Sequence, residues 1–142
     1  MSSAPAGYRT VTPYLVVEDI EALISFLKDA FGAEETERVP GPDGATRHAE
    51  VRIGDSVVMM GAAQQGYPPL PAALYMYVED TDASYASALD AGAESLMEPA
   101  DQFYGDRNAG VKDSQGITWW IATRVENLTA EELRKRALNA RH

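Results

Sequence analysis

Apolar positions change period along the chain, and the changes mark out its elements. From Thr12 to Val17 they run almost unbroken, as in a strand; after Asp19, residues Leu23, Ile24, Leu27, Ala30 and Phe31 recur at helical spacing up to Gly32. Asp19 has the side chain of an N-cap and Gly32 the freedom of a C-cap. Beyond the helix, Glu35–Val39, Thr46–Ile53 and Ser56–Met60 read as a three-strand antiparallel meander, with Pro40–Gly44 as its first turn. The pattern predicts a βαβββ unit.

The same pattern returns. Tyr14-Leu15-Val16-Val17-Glu18-Asp19 is echoed 61 residues later by Tyr75-Met76-Tyr77-Val78-Glu79-Asp80. Gly32-Ala33-Glu34 and the run from Arg47 to Arg52 recur at an offset of 60, in Gly92-Ala93-Glu94 and Arg107 to Lys112. Three echoes in one order predict two copies of a unit of about 60 residues. In the second copy, Ala73–Val78 is the first strand, Asp82–Ala91 the helix, and Glu94–Met97, Gly110–Lys112 and Thr118–Thr123 the later strands. Three prolines make Gln64–Ala72 a linker. Thr129-Ala130-Glu131-Glu132 is a capping box for a final helix to about Asn139. The expected organisation is one α+β domain: a first unit over residues 8–61, a linker over 62–72, a second unit over 73–125 and a C-terminal helix over 128–140.

Alternation within the strands separates core from candidate site. Leu15 and Val17, Ala49, Val51 and Ile53, and Met76 and Val78 are expected beneath the helices. The opposite face is then expected to carry Tyr14, His48, Glu50, Arg52, Val58 and Met60 from the first unit, with Tyr75, Tyr77, Asn108, Thr118 and Trp120 from the second. Aromatic rings among a few polar groups suit a small-molecule pocket, and equally an interface with a partner subunit. His48 and Glu50, two apart on one strand, are the candidate catalytic pair: the carboxylate can orient the imidazole for proton transfer. They are equally readable as a solvated pair without a catalytic role. Tyr104 and Arg107, near a predicted loop that borders a cleft, are secondary candidates with Arg52, although Tyr104-Gly105-Asp106-Arg107 is also readable as a turn held by an Asp–Arg contact. His142, at the terminus, is expected to be disordered.

Composition narrows the chemistry. With no cysteine among 142 residues, disulfide frameworks, thiolate metal sites and thiol nucleophiles are excluded. A formal net charge of −10 opposes polyphosphate, so nucleic acid is not an expected partner. The first residues lack the basic and apolar regions of a signal peptide, and no run approaches the roughly 20 apolar residues of a membrane span, so a cytoplasmic protein without membrane partners is expected.

Paired units of this kind, with Val11-Thr12-Pro13-Tyr14-Leu15, Ala30-Phe31-Gly32-Ala33, His48-Ala49-Glu50 and the run from Asp113 to Thr123, resemble the vicinal oxygen chelate superfamily, in particular its glyoxalase/bleomycin-resistance-like, or PhnB-like, branch. The resemblance covers roughly residues 11–125 and implies a curved mixed sheet around a cleft, and a homodimer. It also implies where a divalent metal would sit in catalytic members. Those positions align with Thr12, Ala73, Met60 or Gly61, and Trp120, none of which is an ordinary ligand for Zn, Mn or Fe. No metal and no other cofactor is therefore expected. The expected function is binding or sequestration of an aromatic or cationic small molecule, as in bleomycin-resistance proteins. Tyr14, Tyr75, Tyr77 and Trp120 would stack on it, Met60 would line the site, and His48, Glu50 and Asn108 would orient it. The alternatives are a metal-free glyoxalase-like lyase or isomerase using His48 or Glu50, with Tyr14, Arg52 or Arg107 stabilising charge, and a dimeric interaction module.

Overall fold

Each unit begins with the same local device, an extended aspartate that caps a helix. In the computed structural model, which describes residues 3–140 and so leaves His142 outside, Asp19 accepts from the Ala22 N–H and Asp80 from the Ala83 N–H. Strand β1 (Tyr14–Val17) leads into helix α1 (Ile20–Phe31), which stops at Gly32 in the left-handed conformation, φ 67°. Strands β2 (Glu34–Pro40), β3 (Thr46–Ile53) and β4 (Ser56–Ala62) complete the first unit. The second runs β5 (Ala72–Tyr77), α2 (Thr81–Asp90), β6 (Glu94–Asp101), β7 (Asp106–Lys112) and β8 (Ile117–Arg124). Helix α3 (Ala130–Asn139) carries the expected capping box between Thr129 and Glu132. Among the described residues no helix is long and apolar enough to cross a membrane.

The mixed sheet takes the form of two four-stranded sheets, ordered β1-β4-β3-β2 and β5-β8-β7-β6, each with one parallel pair at its β1 or β5 edge. The registers repeat. Tyr14 pairs with Met59 as Tyr75 pairs with Trp120, and His48 pairs with Gly61 as Asn108 pairs with Ala122. His48 and Asn108 are thus equivalent positions of the two units.

One expectation about face is overturned. Val58 and Met60 were expected on the open face, but both are in the core, and Met60 is fully buried. The reason is the two-residue hairpin loop Gly54-Asp55, which pairs Ile53 with Ser56 and so sets Val51 opposite Val58 and Ala49 opposite Met60. Cross-strand partners share a face. Met59 therefore takes the open side. Strand β7 also begins four residues earlier than expected, so Asp106, Arg107 and Asn108 are strand residues with alternating directions.

A single apolar core joins the units. Leu15, Val17, Ala49, Val51, Val58 and Met60 of the first sheet, α1, and Val111, Ile117, Trp119 and Ile121 of the second form one buried cluster. Phe31 and Trp119 meet with ring centroids 5.6 Å apart. Asp113 holds Trp119 in place: its Oδ2 accepts from the indole Nε1 at 2.8 Å, while Oδ1 accepts from the Gln115 and Ile117 N–H groups at 2.8 and 3.1 Å. The same turn reaches the other unit, because the Asp19 N–H donates to Gln115 Oε1 at 2.9 Å.

Removing that carboxylate strands buried donors. Asp113→Ala is expected to cost about 2–3 kcal/mol, read as a lower urea midpoint at unchanged slope; a midpoint equal to that of the wild type would contradict this role for Asp113.

Candidate functional site

Because the helix-covered faces share one core, the opposite faces of both sheets point away from it, and each carries its own polar cluster. On the first sheet, Glu50 is 5% exposed, unusual for a carboxylate on an open face. His48 Nε2 lies 3.0 Å from Glu50 Oε2, and the Tyr8 hydroxyl donates to Glu50 Oε1. Burial opposes ionisation of Glu50, but the bonds from His48 and Tyr8 outweigh it and hold the carboxyl below its ordinary range. An ionised carboxylate only accepts, so Nε2 of His48 carries the proton and, in the neutral ring, Nδ1 is left as the acceptor. The Tyr14 ring stacks beside His48 at 6.2 Å and lies across Gly61, where any Cβ would collide with it. Arg52 is exposed beside Gly7.

On the second sheet the buried group is Asp106, 2% exposed. Tyr75 donates to Asp106 Oδ2 at 2.6 Å and Tyr77 at 3.0 Å, while Arg124 Nε donates to Oδ1 at 2.7 Å. Here too burial works against the charge and is outweighed, by Tyr75, Arg124 and Tyr77, so Asp106 ionises below its ordinary value. Burial and the neighbouring Asp106 carboxylate push the Tyr75 hydroxyl well above its own. Asn108 Nδ2 donates to Tyr75 at 3.1 Å and to Tyr104 at 2.7 Å, whereas Asn108 Oδ1 is buried without a partner among the described residues. Trp120 pairs in register with Tyr75 and lies on Gly110, whose missing side chain makes room for the indole. Tyr75, Met97, Gln102, Tyr104, Asn108 and Trp120 line an open pocket of about 300 Å³.

The predicted site residues therefore form two clusters, one per sheet: Tyr14, His48, Glu50 and Arg52 on the first, Tyr75, Tyr77, Asn108, Trp120 and Tyr104 on the second. Met60 belongs to neither, being a core residue. Arg107 points to the helix side, where it pairs with Asp82 at 2.9 Å and Asp101 at 3.2 Å, not with its neighbour Asp106. Sequence reasoning missed Tyr8, Met59, Asp106 and Arg124. The alternation from Asn108 back to Asp106 and the two-residue hairpin at Gly54-Asp55 were signals for two of them; nothing local points Tyr8 at Glu50. Among the described residues, no three His, Asp or Glu side chains converge as a metal-binding group.

Glu50 and Asp106 both ionise more readily in the folded chain than an ordinary carboxyl does. Their contribution to stability is present above the unfolded values near pH 4 and is lost as the pH falls through the lower folded values. Asp106→Asn is therefore expected to lower the urea midpoint at pH 7 and to approach the wild type as the pH falls below the ordinary carboxylate range near pH 4. A pH-independent gap between the two proteins would show that the charge is not what Asp106 contributes.

The comparisons with known proteins agree with this architecture. The model of the Glyoxalase/Bleomycin resistance protein/Dioxygenase superfamily matches residues 9–121. An uncharacterized protein of Mycobacterium bovis is 34% identical, the match covering 87% of this chain and 88% of that one; an uncharacterized protein of Mycobacterium tuberculosis is also 34% identical, over 87% and 79%. Among solved structures, TioX from Micromonospora sp. ML1 superposes with a TM-score of 0.72 at 23% identity, covering 82% of this chain and 98% of its own. A glyoxalase-related enzyme from Fulvimarina pelagi does so with a TM-score of 0.68 at 20% identity, over 86% and 93%. These two share the fold. The chain belongs to the Glyoxalase/Bleomycin resistance protein/Dioxygenase superfamily.

Proposed function

We propose that this protein is a metal-independent, cytoplasmic small-molecule-binding protein of the PhnB-like branch that sequesters a planar, aromatic or cationic compound. The observation that carries the reading is Trp120, half-buried and laid on Gly110 above the pocket of about 300 Å³, with hydrogen-bonding groups as its floor. A ring platform beside fixed polar groups gives both contact area and orientation. The superfamily's metal does not fit these residues. Two of its positions fall on Thr12 and Ala73 and a third on Trp120; the fourth, aligned with Met60 or Gly61 from the sequence, moves in the repeat register to Met59, which stands opposite Tyr14 as Trp120 stands opposite Tyr75. The carboxylates of Glu50 and Asp106 are already committed to other donors.

A homodimer is part of the proposal. Among the described residues strand β5 pairs with β8 alone, whereas the linker meets the outer side of β1 where the Leu70 N–H donates to Val16 O at 3.1 Å, and an apolar hollow of about 730 Å³ runs along β5 and on to Val78. Open edges invite pairing. A second copy set against this edge would cover the hollow. One observation favours a second reading, a metal-free lyase or isomerase: the chain Tyr8–Glu50–His48 leaves Nδ1 of His48 as a base.

Equilibrium dialysis against a cell extract, read by mass spectrometry, separates the readings. Sequestration is expected to return a captured compound unchanged, in EDTA as well as without it. Trp120→Ala should weaken capture by about 1–2 kcal/mol, roughly five- to thirtyfold in Kd. Loss of capture in EDTA with recovery on adding Ni, Zn or Mn would overturn metal independence. A compound returned chemically altered, with His48→Ala abolishing the change, would favour the enzyme.

A further inference from the structure

The orientation of the Asn108 amide is fixed by its neighbours, and it says what the pocket lacks. Tyr75 has one hydroxyl proton, and that proton goes to the Asp106 carboxylate at 2.6 Å, which can only accept. The Tyr75 oxygen must then accept from Asn108, so the amide nitrogen, not the oxygen, faces the tyrosines. Its second N–H goes to the Tyr104 oxygen at 2.7 Å. Two consequences follow. Asn108 Oδ1 is turned away from both hydroxyls and left, 98% of the residue being buried, without a donor among the described residues. Tyr104, which accepts from Asn108, keeps its own hydroxyl proton for another acceptor. A buried acceptor without a donor is costly, and a half-satisfied network of this kind calls for a missing partner.

Resting on the binding reading above, we infer that the pocket beside Trp120 takes a planar ligand with a lactam-type edge, whose N–H donates to Asn108 Oδ1 and whose adjacent carbonyl accepts from the Tyr104 hydroxyl. Asn108 Oδ1 is itself buried, so the half-buried Trp120 must turn aside when the ligand enters, Tyr104 staying in place to meet the carbonyl. The pocket volume suits a compound of one or two fused rings. None of the residues that line the pocket is charged, and Asp106, which holds Tyr75, is paired with Arg124 at 2.7 Å, so the edge the pocket recognises is a neutral one, met through hydrogen bonds. Asp106 acts here as a positioning residue: it takes the Tyr75 proton and thereby decides which end of Asn108 meets the ligand.

The test uses isoindolin-1-one and its N-methyl derivative, in which a methyl group replaces the donor hydrogen, titrated into the protein by calorimetry and ligand-observed NMR. The N-methyl compound is expected to bind at least about tenfold more weakly. Asn108→Leu should remove the difference by weakening the parent compound alone, and Tyr104→Phe, which keeps the ring, should weaken both compounds severalfold. Thermal midpoints check that each variant folds; should Asn108→Leu not fold, the probe pair and Tyr104→Phe still decide. Equal binding of the two compounds to the wild type overturns the inference. So does failure of both to bind while Trp120-dependent capture from the extract persists, an outcome that leaves the binding reading standing. Failure of both probes together with no capture overturns the two alike.

Discussion

The arrangement depends on one shared contact. Trp119, from the second unit, is held by Asp113 and packs against Phe31 of the first, so the apolar faces of both sheets close on a common interior. An indole with its N–H satisfied can be buried without the penalty of an orphaned donor, and its area makes it an effective seal between two half-domains. With those faces joined, alternation leaves the polar residues of both sheets no direction but outward.

What faces outward is not an ordinary solvated surface. Each sheet buries one carboxylate on its open side, Glu50 or Asp106, and surrounds it with hydroxyl, imidazole or guanidinium donors. Burying an ion is tolerable only when its lone pairs are met, and here Tyr8 and His48 meet those of Glu50, and Tyr75, Tyr77 and Arg124 those of Asp106. The carboxylates thus set the protonation and direction of the groups around them: the proton on Nε2 of His48, the proton of Tyr75 and the turn of the Asn108 amide. The equivalence of His48 and Asn108 in the two registers shows the same position serving different chemistry in each unit.

Most of the scaffold was legible in the sequence, because periodicity, caps and the internal echo act locally. Asp19, Gly32 and the Thr129 capping box are where their side-chain chemistry requires. The site was legible only in part. His48 and Glu50 meet because two residues apart on a strand is a local relation, and Tyr75 reaches Asn108 through a register that the repeat already implied. Met60 was misplaced because its face is decided by the hairpin at Gly54-Asp55, a pairing rule and not a property of Met60. Tyr8 escaped notice because its contact with Glu50 spans 42 residues and depends on how the N-terminal segment crosses the sheet. Arg124 was missed for a similar reason: it reaches the face only across the β7–β8 ladder.

The two aromatic platforms are made by absence. Tyr14 lies over Gly61 of β4, whereas Trp120 lies over Gly110 of β7, so corresponding units seat their rings on non-corresponding strands. A single added methyl at either glycine would tip its ring off the sheet without touching the interior. The outline of each open face is therefore adjustable at one small point, independently of the other, and the two faces, though built from one repeated plan, are unlike in outline.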